Sequence, residues 1–351
     1  MHIDDLLREA TERSASDLHL SVGLPPVIRI DGKLVRMDYS PLTPNEIQRL
    51  VYDILKTDHI QWFEKTHELD FSYGVRDVGR FRVNIYRQRG SVGAAFRSIP
   101  NQIPSFEQLR LPNVLRNLCR KHSGLILVTG PTGSGKSTTI ASMIDMINSE
   151  QEVHIMTIED PIEYLHRHKR AMVNQRELNA DTDSFDNALR AVLREDPDVI
   201  LIGEMRDLET ISAALTLAET GHLVFGSLHT RNAPQTVDRV IDVFPPHQQD
   251  QIRVLLSNTI EGIVAQQLIP RLGGGRVASI EVLIATSAIR NLIREGKTFQ
   301  IHSTIETGAQ FGMQSMDKVL ADLNRNGQIS LQDATARAID PENFQRFLDG
   351  G

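Results

Sequence analysis

Gly130-Pro131-Thr132-Gly133-Ser134-Gly135-Lys136-Ser137 spells G-x-x-x-x-G-K-[ST], the pattern of a phosphate-binding loop, and Thr138 continues it. The run Leu125-Ile126-Leu127-Val128-Thr129 ahead of it reads as a buried strand, and Ile140, Met143, Ile144 and Ile147 behind it recur at helical spacing. Strand, glycine loop and helix start form the context in which the pattern has a mechanism. Glycines let the backbone curl so that its N–H groups face inward as an anion nest, and the helix N-terminus adds a partial positive charge. In such a loop Lys136 neutralises the β- and γ-phosphates and the Ser137 hydroxyl ligates Mg²⁺. A glycine turn that merely precedes a helix is the bland alternative, and the flanking strand and helix count against it. The chain is therefore expected to bind a nucleoside triphosphate.

At 351 residues, two domains are expected, each able to bury a core of its own. A net charge of −7 counts against nucleic acid as the principal partner, because a duplex binder usually carries a basic excess. The single cysteine, Cys119, offers neither a disulfide staple nor a zinc knuckle and fits a cytosolic protein. The start, Met1-His2-Ile3-Asp4-Asp5, is acidic where a secretory signal is basic and then apolar. No run approaches the roughly 18 apolar residues that span a bilayer, so a membrane role is expected only through a partner.

Ile3, Leu6, Leu7 and Ala10 mark a short amphipathic helix, and Asp17–Val22 alternates as a strand does. Val27–Ile30 and Lys33–Arg36 flank Asp31-Gly32, which predicts a hairpin with a type I′ turn. A helix is expected after Pro44, with Ile47, Leu50, Val51 and Ile54 on one face, then strands at Phe71–Val75, Arg80–Tyr86 and Ala94–Ile99. Residues 1–100 are thus expected to form a small α+β domain, and residues 101–112, with Pro104 and Pro112, a stiff connector to a second domain at 113–351. There strands alternate with helices, at His154–Ile158, Val199–Ile202 and Leu223–Ser227, which implies a mainly parallel sheet covered on both faces. Phe185, Leu189, Val192 and Leu193 share a helical face stopped by Pro197; Asp207 is placed to cap the next helix and Gly221 to close it. Beyond about residue 250 the chain reads as mostly helical, interrupted by a Gly273-Gly274-Gly275 turn.

Ligands of open α/β sheets bind at the carboxyl ends of the strands, and here each expected core strand ends in polar chemistry. One ends in the phosphate loop, one in Glu159-Asp160-Pro161-Ile162-Glu163, one in Gly203-Glu204-Met205-Arg206-Asp207 and one in Ser227-Leu228-His229-Thr230. Glu204 is placed to orient a water for in-line attack on the γ-phosphate; its bland alternative is a solvated or helix-capping acid. The usual pattern has Asp before that Glu to hold Mg²⁺, whereas Gly203 stands here, leaving the second metal contact to Glu204 or to Glu159, directly or through water. Glu159 and Glu163 are candidates to steady the metal's water shell or the attacking water, or else are surface acids. His229 is a candidate γ-phosphate sensor, and His222, at the start of the strand, is expected farther from the site; each has a packed, satisfied histidine as its alternative. The small domain carries Arg76, Arg80, Arg82, Arg87, Arg89 and Arg97. A solvated sheet face, a nucleic-acid patch and arginine fingers compete to explain them. The acidic total and the scarcity of stacking aromatics disfavour the second, and Arg82 and Arg97 are the choices for the third.

Together GPTGSGKSTT (130–139), TIEDPIEY (157–164), REDPDVILIGEMRDLET (194–210) and GHLVFGSLHT (221–230) closely resemble the Walker A, Asp box, Walker B and His box elements of the secretion ATPase superfamily. Ala288–Glu295 (AIRNLIRE) and Phe311–Asp317 (FGMQSMD) are similar to segments of its pilus-retraction branch. The resemblance implies an α/β fold in which a RecA-like P-loop ATPase domain follows a small PAS-like α+β domain, and a homohexameric ring with ATP and Mg²⁺ held between domains. It also implies a motor for type IV pilus retraction at the cytoplasmic face of the inner membrane, docked on a platform protein, with an accessory retraction ATPase as a further partner. Arg82 and Arg97 match the segments where the family has its arginine fingers, and Gly203 is usual there. Pilus extension or type II secretion is the nearest alternative, although the four-cysteine zinc element usual in those branches is missing; a DNA translocase is more remote. Within the AIRNLIRE segment, Ser287 is expected to cap a helix that turns Ile289, Leu292 and Ile293 inward and Arg290, Arg294 and Glu295 outward.

Overall fold

The computed structural model describes residues 1–100 and 102–349; Asn101, within the expected connector, lies outside the described residues. By packing, the chain divides into two bodies: Met1–Gln102 with Pro161–Leu165, and Ile103–Asp160 with His166–Gly351.

In the first body, α1 (Ile3–Glu12) precedes β1 (Asp17–Leu20) and the hairpin β2 (Val27–Ile30) and β3 (Lys33–Arg36). Asp31 and Gly32 have φ of 49° and 79°, the two left-handed residues that a type I′ turn requires. Thr43 and Glu46 form a capping box on α2 (Pro44–Tyr52). Then come α3 (Thr57–Thr66), β4 (Glu68–Val75), β5 (Gly79–Gln88) and β6 (Ser91–Ile99). Helix α3 escapes sequence reading because Phe63 is its one buried residue, so it has no apolar stripe. The six strands run antiparallel in the order β3-β2-β1-β6-β5-β4. Ile3, Leu6, Ile47, Leu50 and Phe63 of the helices pack with Leu18, Ile28, Val83 and Phe96 of the strands in one core, as the PAS-like α+β reading expects.

The second body opens with the short helices α4 (Phe106–Leu109) and α5 (Val114–Cys119), whose Phe106 and Leu115 are buried in its core. It continues through β7 (Gly124–Thr129), α6 (Lys136–Glu150), β8 (His154–Glu159), β9 (Met172–Glu177), α7 (Phe185–Val192), β10 (Val199–Ile202), α8 (Leu208–Glu219) and β11 (Leu223–Leu228). After α9 (Ala233–Asp242) and α10 (Pro246–Thr259) come β12 (Ile260–Pro270) and β13 (Arg276–Ile284), then α11 (Ser287–Arg294), α12 (Ile301–Thr307), α13 (Met316–Arg325), α14 (Leu331–Thr335) and α15 (Pro341–Leu348). The seven strands are ordered β13-β12-β7-β11-β10-β8-β9, parallel except for β13. Leu125 and Leu127 of β7 enter one apolar layer and Ile126 and Val128 the other, because helices cover both faces. This is the RecA-like arrangement, and it explains why its strands are continuous apolar runs rather than alternating ones.

Three expectations are corrected. The stretch after residue 250 is mostly helical but is interrupted by more than a glycine turn: two long strands, β12 and β13, flank Gly273, Gly274 and Gly275, which all have positive φ. An apolar run buried on both sides has no period that separates strand from helix, and here pairing with β7 decides. Leu193 does not share the buried face of α7; it follows the helix and is 50% exposed. Helix α11 is capped by Thr286 rather than Ser287, and Arg290 does not face outward. Its guanidinium donates to the carbonyls of Ala285, Ser257 and Asn258 and to the Glu261 carboxylate, so it closes the carbonyl end of α10. Ile289 and Ile293 are buried, and Arg294 and Glu295 exposed, as the periodicity requires.

Candidate functional site

The carboxyl end of β7 passes into the phosphate loop through Gly130, whose φ is +144°. A Cβ there would lie 2.2 Å from the Gln266 carbonyl oxygen and 2.6 Å from Ser134 Oγ, so only glycine fits. Gly135, at φ +90°, is the N-cap of α6 and offers no side-chain cap. The first N–H groups of a fifteen-residue helix are thus left for an external acceptor. Pro131, Thr132 and Gly133 form the exposed crown of the loop, while Lys136, Ser137 and Thr138 are half-buried at the start of the helix. Lys136 Nζ folds over the loop, donating to the carbonyls of Gly130 at 2.8 Å and Pro131 at 3.3 Å. Ser134 Oγ and Thr129 Oγ1 are buried without hydrogen-bond partners. A curled backbone, an ammonium and an orphaned hydroxyl are together a fit for phosphate.

At the same edge of the sheet, β10 runs into Gly203, whose N–H donates to the Ile158 carbonyl at 2.8 Å. A Cβ on Gly203 would crowd the Glu159 Cα at 3.1 Å, so an aspartate has no easy room here. Glu204 follows, and both of its oxygens are engaged. Arg206 Nη2 donates at 2.6 Å to one, and His229 Nε2, beyond the end of β11, lies 3.0 Å from the other. The Arg206 hydrogen bond, aided by the charges of Arg206 and His229 and opposed by burial, holds the Glu204 carboxyl below its usual range. On β8, Glu159 Oε1 accepts from Thr157 Oγ1 at 2.6 Å and from Gln175 Nε2 at 3.0 Å. Glu159, Glu204, His229 and the loop thus gather at one edge of the sheet.

The other candidates stand apart. His222 precedes β11 at its opposite end, about 20 Å away along six residues of strand, where Nδ1 lies 3.0 Å from the Leu217 carbonyl oxygen. It closes the end of α8, and nothing in this body brings it to Glu204. Glu163 packs with the first body, so the Asp-box segment is shared between the two. Arg82 and Arg97 face each other across β5 and β6. Arg97 Nε donates to Asp17 Oδ1 at 2.9 Å while the side chain stays 71% exposed, which leaves the outer fork of its guanidinium in solvent. Arg82 Nε lies 3.9 Å from Asp70. Burial raises the Asp17 carboxyl, but hydrogen bonds from Ser16 and Arg97 and the charge of Arg97 outweigh it, and the net shift is down. Asp17 was not among the sequence candidates, since one acid at a strand start carries no signal.

A cavity of about 650 Å³ adjoins the loop, lined in part by Gly135, Thr138, Thr139, Gln266 and Leu268. Among the described residues no three His, Cys, Asp or Glu side chains gather as a metal cage. Mg²⁺ asks for less: oxygen donors, with phosphates and waters completing the shell. The Ser137 hydroxyl, at the loop, and the Glu159 carboxylate, at the same carboxyl edge three strands along, are donors of that kind.

A parallel sheet whose central strand runs into such a loop, with a glutamate–histidine pair at the adjoining strand ends, defines a RecA-like P-loop ATPase. The family model for type II/IV secretion system proteins matches residues 1–275, and the chain belongs to that family. It is 51% identical over 344 residues to the type IV pilus retraction ATPase PilT of Pseudomonas aeruginosa, covering 98% of this chain and 100% of that one. It is 47% identical to a twitching motility protein of Neisseria gonorrhoeae over 91% of this chain and 86% of that one. Its structure matches a crystal structure of the pilus retraction motor PilT with bound ADP at a TM-score of 0.93 and 53% identity, over 99% of both chains.

Proposed function

We propose that the chain is a homohexameric motor that hydrolyses ATP to drive type IV pilus retraction, acting on an inner-membrane platform protein at the cytoplasmic face. The observation that carries this reading is the convergence of the phosphate loop, Glu204 and His229 at one sheet edge, in a chain with pilus-retraction relatives along nearly its whole length. The cavity beside Thr138 supplies room for sugar and base. No helix among the described residues is long and apolar enough to cross a membrane.

The backbone N–H groups of the loop that open α6 and the Lys136 ammonium bind the phosphates. Mg²⁺, held by Ser137 and by Glu159 directly or through water, neutralises phosphate charge when bound. Glu204 orients the attacking water and His229 senses the γ-phosphate through the carboxylate they share. Arg82 and Arg97 act as arginine fingers that stabilise developing charge. Each Glu204 oxygen accepts from one partner and keeps a second lone pair, so a water can bind beside Arg206 and His229. Removing Arg206 raises the Glu204 pKa, so at a given acidic pH less of it is ionised. The acid limb of the kcat–pH profile in Arg206→Ala moves to higher pH; an unmoved limb would sink this account of Glu204.

The reading is tested in cells by deleting the gene. Surface pili persist and labelled filaments stop retracting, while a strain without pili would point to assembly instead.

A further inference from the structure

We infer that Gln266 is a positioning residue that fixes the phosphate loop against the first turn of α6, an inference that rests on nucleotide binding by that loop. Strand β12 pairs in parallel with β7 up to Ala265↔Thr129, so Gln266 stands one residue further on, level with Gly130. There its own carbonyl packs against Gly130, where a Cβ would come within 2.2 Å. Its side chain reaches the far end of the loop. Oε1 accepts a hydrogen bond from Thr139 Oγ1 at 2.7 Å, and Nε2 lies 2.8 Å from where a Cβ on Gly135 would stand. Gly135 is the N-cap of α6, and Thr139 donates the first α-helical N–H, to the Gly135 carbonyl at 3.0 Å. One residue therefore touches both ends of the loop and the helix it opens.

Packing alone does not ask for glutamine here. Gln266 is 3% exposed and Thr139 1%, and the preceding strand positions Val264 and Ala265 are fully buried apolar residues. A buried amide is unfavourable unless bonded, so the Thr139 bond is what makes glutamine tolerable at this place. The geometry couples the strand plane to the direction of α6, and hence to where the loop's N–H groups aim. Those amides meet the phosphates before and during cleavage alike, so a misaimed loop weakens ground state and transition state together. The loss then falls on KM and on the dissociation constant for ADP rather than on kcat.

The test is a double-mutant cycle on the full-length protein with Gln266→Met, which keeps length and volume, and Thr139→Val, which keeps shape. ADP affinity with Mg²⁺, steady-state ATP hydrolysis and the thermal midpoint are measured for each. Each single change raises the ADP dissociation constant about tenfold, and the double change raises it no further than either alone, because all three lose the same bond. Additive effects, or wild-type affinity in either folded single variant, overturn the inference. If Gln266→Met does not fold, Thr139→Val reads the same bond from the helix side. A parent protein that fails to bind ADP would instead overturn the nucleotide reading itself, a result separable from tight binding in parent and variants alike.

Discussion

Lys136→Ala strongly weakens nucleotide binding and hydrolysis while leaving the fold intact. The ammonium is the only positive side chain in the loop, and the two carbonyls it holds, those of Gly130 and Pro131, belong to the loop itself. Truncating one partner of a partly buried charge contact costs about 2–5 kcal/mol, so ADP affinity falls at least about 30-fold. Removing a preorganised electrostatic contact from the transition state costs a further factor of about 10²–10³ in turnover. Phosphate release and titration with a fluorescent ADP analogue check both. Parental turnover in this variant would remove the basis for placing phosphate at Gly130–Thr138.

Glu204→Gln separates binding from chemistry. Glutamine keeps the shape and one acceptor, so ADP affinity stays within about threefold, a change of well under 1 kcal/mol. The charge that orients and polarises water is gone, and turnover falls about 10²–10⁴-fold, the range that a positioned acid–base group supplies. The low pKa of Glu204, set first by the Arg206 hydrogen bond, keeps it ionised at neutral pH, so the neutral amide is a true loss of charge there. Near-normal turnover with a correctly folded variant would assign the water to another group, with Glu159 the neighbouring acid to examine.

Much of the site was legible because it is local. The phosphate loop is a contiguous run of amides whose conformation follows from its own glycines, and the hairpin of residues 27–36 follows from its Asp31-Gly32 turn. Glu204 and His229 follow the ends of two strands, and they meet because β10 and β11 are adjacent and parallel. Other choices could not be settled this way. His222 shares a strand with His229, but a strand has two ends, and only one faces the loop. Arg290 has the spacing of an outward residue, yet bare carbonyls at the end of α10 draw its guanidinium in. Gln266 gave no signal at all, since its partner Thr139 lies 127 residues away.

By itself the amino-acid sequence determined the loop, most strands and helices up to β11 (α3, α4, α5 and β9 excepted), and which strand ends carry acids and histidines. These depend on backbone conformations and apolar periods set within a few residues. Tertiary structure alone decided that residues 260–284 are strands, that Gln266 braces the loop, and that Asp17 holds Arg97 by its inner nitrogen. Pairing and hydrogen bonding between distant segments select among conformations that local propensity leaves nearly equal in energy.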